Sequence, residues 1–264
     1  MRILLLTTCI YNEENYLDFL RLTDSLSQQC SSIFFEHGVL FQNFNDDAKL
    51  DSYQSENYSS KFFYTDKIIS LSKARNFLIN QYVSELDSYD YTSFPDDDCW
   101  YPADFWRQFR LIAKKQKLDV FYTKFSSEPV KKFEGTEKHS TYKLILNSSS
   151  NTTIYSTEIV KSIKLFDESF GVGSLNNGGE DTDFSLRAML SSNVIIFINS
   201  PLVGHREPLP EFRYRYFKGS YGVLKKHCFK SFSISLITCR KFLVGLIYIF
   251  TRKISILDFF VNKG

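Results

Sequence analysis

Through its first hundred residues the chain repeats one pattern: a short apolar run, a polar exit, then a stretch whose apolar residues recur at helical spacing. Arg2 to Thr7 is the first run and Tyr16 to Leu26 the first helical stretch. Ser32 to Leu40 and Lys61 to Thr65 are further runs, Leu71 to Leu86 reads as a helix, and Tyr89 to Phe94 as a strand ending in acids. Strands alternating with helices predict an α/β fold, a mostly parallel sheet flanked by helices and joined by right-handed crossovers. Sheets of this kind bind ligands beyond the carboxyl ends of their strands. That rule singles out the loop Thr7 to Glu14 and the acidic run Asp96 to Asp98.

Further along, Phe121 to Tyr155 is rich in Lys, Ser, Thr and Asn, with β-type patches such as Thr141 to Leu146. It is expected as antiparallel or irregular cover, an acceptor wall in an enzyme. Phe184 to Leu190 predicts a helix and Val194 to Ile198 the last strand. Trp100 and Trp106 read as core aromatics in preference to an acceptor wall. No internal repeat is evident, and the Ser/Asn/Thr run Asn147 to Thr153 reads as a loop.

With 264 residues, 43% of them hydrophobic, the chain can bury a substantial core. Its net charge of +2 hides an uneven split: from His205 onward there are twelve Lys/Arg against three Asp/Glu, a net of about +9, leaving about −7 for the rest. The division suggests a domain over 1–206 and a basic, apolar helical extension over 207–264. Five cysteines, with no C-x-x-C pair and no zinc spacing, suit a reducing cytoplasm. The apolar run at the start is too short for a secretory signal. The sequons at Asn57, Asn147 and Asn151 then carry no weight.

Asp96, Asp97 and Asp98 follow Phe94-Pro95 and precede Cys99-Trp100. Three adjacent carboxylates repel one another unless a cation or a positive dipole compensates, and hard divalent cations prefer such oxygen ligands. Asp96 and Asp98, two apart, project from one side of an extended chain. A solvated acidic turn or a helix N-cap accounts for the same residues equally well. A second cluster, Gly171 to Gly179 followed by Glu180, Asp181 and Asp183, delivers carboxylates to a helix start on flexible glycines. A carboxylate there can take a proton from an attacking hydroxyl. The alternative is that these acids only favour the helix N-terminus electrostatically.

Taken together, four blocks in order resemble family 2 glycosyltransferases of the GT-A fold, especially bacterial enzymes of surface-polysaccharide synthesis. Thr7-Thr8-Cys9-Ile10-Tyr11-Asn12-Glu13-Glu14 is similar to the opening P-x-Y-N-E-E loop, and Leu71-Ser72-Lys73-Ala74-Arg75-Asn76 to the G-x-S-x-A-R-N helix start. Asp96 to Asp98 resembles the D-x-D metal motif, and Gly178-Gly179-Glu180-Asp181 with Arg187 the G-x-E-D-x-D-x-x-x-R block. The resemblance implies donor contacts at Thr8, Tyr11, Glu13, Ser72, Arg75, Asp96 and Asp97, with Glu36 in the place of a base-binding Asp. His37 departs from the usual D-D-G-S ending. It also implies a Mn²⁺ or Mg²⁺ site at Asp96, Asp98 and His205, and Asp181 as general base beside Glu180. The activity implied is inverting transfer from a nucleotide-sugar, expected to be a UDP-sugar, to a glycan hydroxyl.

Between Phe212 and Lys230 basic residues interleave with aromatics, and Ser231 to Phe250 is largely apolar but interrupted by Arg240-Lys241. The uncharged run after that pair is about half the roughly 20 residues that span a bilayer. Helices lying in the interface of an anionic inner membrane are therefore favoured over a crossing, with a lipid-linked acceptor in view. Packing on the domain, or a homo-oligomer contact, is the alternative. The acidic body carries no nucleic-acid module, which argues against nucleic acid as the partner of the basic-aromatic tail. Within enzymes, a metal-dependent nucleotidyltransferase is the rival.

Overall fold

The computed structural model describes residues 1–29, 31–45, 50 and 52–260. Its centre is an eight-stranded sheet in the order β3-β2-β1-β4-β7-β5-β8-β6. The strands are β1 (Arg2–Ile10), β2 (Phe34–Gln42), β3 (Tyr58–Thr65), β4 (Tyr91–Ser93), β5 (Val120–Ser126), β6 (Thr136–Glu137), β7 (Thr153–Ser156) and β8 (Ile195–Gly204). The helices are α1 (Glu13–Ser27), α2 (Leu71–Tyr82), α3 (Phe105–Lys115), α4 (Thr141–Asn147), α5 (Thr157–Ile163), α6 (Glu180–Leu190), α7 (Phe212–Arg215), α8 (Phe217–His227) and α9 (Phe232–Phe250).

β1 is apolar on both faces because it lies between β2 and β4, parallel to both, with helices covering each side. Its period-2 alternation sorts side chains into two layers. Ile3 and Leu5 pack with Leu22 and Leu26 of α1 and with Trp106 and Phe109 of α3, while Leu4 and Leu6 pack with Ala74 and Leu78 of α2. Trp106 is fully buried, as expected for a core aromatic. The strands β3, β2, β1 and β4 run parallel, as do β5 and β8, whereas β7 lies antiparallel between β4 and β5 and β6 antiparallel to β8.

Several expectations change with the tertiary context. β1 continues to Ile10, because β2 runs on to Gln42 and supplies ladder partners throughout; the opening loop shrinks to Tyr11-Asn12 before α1. The segment after Phe121 is more than cover, since it inserts β5 and β7 into the middle of the sheet. Thr141 to Leu146 is helical: Ser140 caps α4 by accepting from the Lys143 amide at 3.2 Å, and Leu144 is fully buried beside Tyr122 and Ile234. Cap and burial together outweigh β-propensity, which depends strongly on context.

The C-terminal helices pack on the body. Asp183 of α6 accepts from Lys226 at 2.7 Å and lies 2.8 Å from His227 Nε2, both residues of α8. At the same contact Gly219 meets Gly178 so closely that a Cβ would lie 2.0 Å from the Gly178 carbonyl oxygen. α9 then rests on α8 and α4.

Candidate active site

The acidic turn begins where β4 ends. Phe94 is buried against Tyr155, Phe166 and Phe184, which anchors the exit of the strand. The Thr7 hydroxyl donates to the Pro95 carbonyl at 2.9 Å, and that same oxygen lies 2.8 Å from His37 Nε2. Because Thr7 spends its one proton on Pro95, His37 carries its proton on Nε2 and accepts at Nδ1 from Tyr58, 2.7 Å away. His37, the departure from the family's ending, is thus a buried neutral imidazole that holds the turn through Thr7.

Burial depresses the His37 pKa to about 3. The unfolded chain then binds a proton between about pH 6.5 and 3 that the folded chain refuses, so this contribution is complete above about 6.5 and declines as pH falls. From pH 6.5 to 5 the expected loss is about 2 kcal/mol. Urea unfolding of the wild type and of His37→Gln between pH 7 and 5 checks it: the difference between the two stability curves should shrink toward acid, and a constant difference rejects the assignment.

Asp98 is buried, with its Oδ1 3.1 Å from His205 Nε2, its Oδ2 paired with Arg206, and its carbonyl accepting from Arg21 at 2.9 Å. Burial pushes its pKa up, but the hydrogen bonds and charges of His205 and Arg206 outweigh that and hold it at about 2. His205 is correspondingly raised, since its bond to Asp98 outweighs its own burial. Asp97 turns toward the Cys9 thiol, and burial beside two like charges raises it to about 7. Asp96 Oδ1 accepts from Arg75 at 3.1 Å and from the Ser150 hydroxyl at 3.2 Å.

Across from Asp96 stands Asp181, in the first turn of α6. The two are joined by one guanidinium: Arg75 donates to Asp181 Oδ1 at 2.6 Å, to Asp96, and to the Ser150 hydroxyl at 2.7 Å. Asp181 Oδ2 takes the Ser150 amide at 3.0 Å. Arg75 is only 2% exposed and lies 5.3 Å over the Phe166 ring. Glu180 is buried beside this cluster and its Oε2 meets no hydrogen-bond partner among the described residues. Burial, then the neighbouring Asp181 charge, raises its pKa. The three acids of α6 therefore have three different surroundings: Asp183 is paired with α8, Asp181 with Arg75 and Ser150, and Glu180 is buried without a partner for its Oε2 among the described residues.

Asp96, Asp98 and His205 each offer a ligand atom within 4.8 Å of the others. Two carboxylates and an imidazole make a donor set that Mn²⁺ or Mg²⁺ accepts, so these residues fit the cation that the resemblance implies.

Other residues named from the sequence divide by place. Thr8, partly exposed, lies near the carboxyl end of β1, and Tyr11, partly exposed, packs on Tyr16, Phe41 and Phe44 just beyond it. Glu13 is exposed in the first turn of α1. Ser72 is fully buried and donates to the Phe170 carbonyl at 2.7 Å, so it secures the glycine loop. Glu36 does not join the others. β2 extends six residues past it, about 20 Å of strand, and its carboxylate meets the Tyr82 hydroxyl at 3.5 Å. Gln42, accepting from the Ile69 amide at 2.8 Å, and Asn43 with φ 57° stand at that strand end instead. Ser150, Arg21 and Arg206 were not legible as site residues; Ser150 lies in a Ser/Asn run with no motif, and the two arginines reach Asp98 from distant elements.

A cleft of about 1210 Å³ opens between the start of α2, the glycine loop and α8, with Lys73, Phe170, Leu175 and Lys225 in its walls. None of Asp96, Asp98 or Asp181 lines it. The glycine loop that forms one wall ends at Glu180, so the cleft adjoins the carboxylate cluster without containing it.

The α/β sheet thus gathers acids and a buried arginine at its strand ends, beside a triad whose donors could hold a cation. No family model matches the chain, and no curated protein matches it in sequence. Solved structures do match: S. aureus TarS residues 1–349 is similar with a TM-score of 0.58, at 19% identity over 85% of this chain. The same protein in complex with UDP-GlcNAc gives a TM-score of 0.61 at 16% identity over 85%, and in complex with UDP 0.60 at 18% over 85%. This chain spans 65%, 66% and 65% of those three chains. The likeness establishes the fold.

Proposed function

We propose that this chain is a metal-dependent, inverting glycosyltransferase that moves a sugar from a nucleoside-diphosphate sugar, expected to be a UDP-sugar, to a hydroxyl of a glycan acceptor. The acceptor is read as lipid-linked, as in bacterial surface polysaccharide, with the protein peripheral on the cytoplasmic face of the membrane. One observation carries the reading: Arg75 holds Asp96 and Asp181 together, beside Asp98 and His205, at the carboxyl end of the sheet. UDP and UDP-GlcNAc bound to TarS, a protein of similar fold, support the donor class.

In this mechanism Asp181 accepts the proton of the attacking hydroxyl as the acceptor oxygen displaces the nucleoside diphosphate at the anomeric carbon, in one step with inversion. Arg75 and the Ser150 amide orient that carboxylate. Asp96, Asp98 and His205 would hold the cation, which when bound neutralises the departing diphosphate. Tyr11, with the aromatic group around it, offers a face for the base.

Nucleoside-diphosphate release across a panel of nucleotide-sugars tests the reaction class. Release of free nucleoside diphosphate is expected; pyrophosphate would identify a nucleotidyltransferase and overturn the reading. Calorimetry tests the cation: Asp98→Ala should weaken Mn²⁺ binding by more than about tenfold, since even groups outside the ligand shell matter that much. Unchanged Mn²⁺ affinity removes Asp98 from the ligand set.

A further inference from the structure

α9 is turned inside out relative to a helix on a water-facing surface. At about 100° per residue, Ile234, Thr238, Lys241 and Gly245 fall on one side of it. That side packs on the body: Ile234 is fully buried, Thr238 donates to the Leu224 carbonyl at 3.1 Å, and Lys241 lies 5.2 Å over the Phe217 ring. At Gly245 a Cβ would come within 2.4 Å of Phe217. The opposite side carries Phe232, Leu236, Leu243, Ile247 and Phe250, with Phe229 just before it, all exposed; Phe229, Phe232 and Phe250 are 97%, 84% and 87% exposed. A surface helix ordinarily shows water its polar face. Here the polar Thr238 and the charged Lys241 face inward and a continuous aromatic-aliphatic ridge faces out.

Cations border this ridge. Lys230 precedes it, Arg240 flanks it, and Arg252 and Lys253 follow it, all exposed. Asp258 is the sole acid from Lys218 to Phe260. α9 has the length and apolar composition to cross a membrane, but a crossing would tear Lys241 and Gly245 from the body and leave Arg240 and Lys241 at mid-bilayer. A second copy seated on the ridge would bring two strongly basic surfaces together. Anionic headgroups instead neutralise the flanking cations while the acyl boundary takes up the ridge.

We propose that the α9 ridge is an anionic-bilayer docking surface, on which the helix lies in the interface plane with Phe229, Phe232 and Phe250 inserted. The proposal specifies the surface behind the peripheral location read above, and it stands on the ridge and its cations, independent of the sugar chemistry.

Flotation of the full chain with vesicles tests it. The wild type is expected to float with vesicles of equal parts phosphatidylglycerol and phosphatidylcholine and to stay behind with phosphatidylcholine alone. The double variant Phe232→Ser/Phe250→Ser, with thermal melting and circular dichroism as for the wild type, should lose at least about tenfold in bound fraction. Should both serines unfold the chain, Lys230→Glu/Arg252→Glu is the second variant, expected to lose binding to anionic vesicles. A wild type that does not float, or a folded double variant that floats as well as it, overturns the proposal. So does a wild-type dimer in size exclusion that the serines convert to monomer while vesicle binding is absent, since the ridge would then join copies. Nucleoside-diphosphate release measured on the same samples separates the two readings, because flotation without release leaves the surface standing and removes the transferase.

Discussion

Asp181→Asn is expected to lower turnover by about 10²- to 10⁴-fold, the range for loss of a positioned general base, while donor affinity changes little. The side chain keeps its size and one acceptor oxygen, so Arg75 retains a partner. What it loses is the basicity needed only as the hydroxyl attacks. One cost is built in. Asp181 offers oxygens to two donors, the Arg75 guanidinium and the Ser150 amide, and an asparagine can satisfy only one of them. That leaves about 1–3 kcal/mol of local destabilisation, so melting temperature is measured alongside turnover and donor binding. Turnover and donor affinity falling together would make Asp181 a positioning group and remove it as the base.

Arg75→Met should be the most destabilising single change at the site. Its guanidinium is the buried cation between Asp96 and Asp181, with Glu180 adding a third carboxyl close by. Removing one partner of a buried ionic group costs about 3–5 kcal/mol because the remaining charges are left uncompensated. In a chain of this size that corresponds to a fall in Tm of about 10 °C. Arg75→Lys should recover only part of it, since one ammonium cannot reproduce a planar fork shared among Asp181, Asp96 and Ser150. Mn²⁺ should raise the Tm of the methionine variant more than that of the wild type, because a cation near Asp96 restores some of the missing charge. A variant that melts with the wild type would show that the carboxylates do not depend on Arg75.

The parallel half of the sheet was legible because each of its strands advertises itself locally. β1 is an apolar run because a strand buried on both faces has to be largely apolar, and β2 and the edge strand β3 carry apolar-aromatic stretches on either side of turn and helical segments. The other half was not. β7 is four residues long and reaches the sheet centre through pairing with β4 and β5, distant neighbours whose ladders no local pattern announces. α4 misled for the same reason, its β-branched and aromatic residues being helical once capped and packed.

Within the site, residue chemistry was enough to single out the acids Asp96 to Asp98 and the glycine-delivered Glu180 and Asp181, since such carboxylates demand explanation wherever they lie, whereas Arg75, His205 and the role of Asp181 as base came from the resemblance of the four blocks. Position was another matter. Glu36 looked suitable by type, yet β2 runs six residues beyond it and carries the strand end away. Ser150 has no motif, yet it touches both key aspartates and the arginine between them. Composition likewise exposed a basic, apolar end, but which side of α9 faces outward depended on Phe217 and Leu224 of α8 claiming the other, at Gly245 and Thr238. The sequence by itself determined which groups carry charge, which segments must be buried and in what order they follow. Only the tertiary structure decided which of those groups meet, because hydrogen bonds and ion pairs act over a few ångströms between residues, such as Arg75 and Asp181, that stand more than a hundred positions apart along the chain.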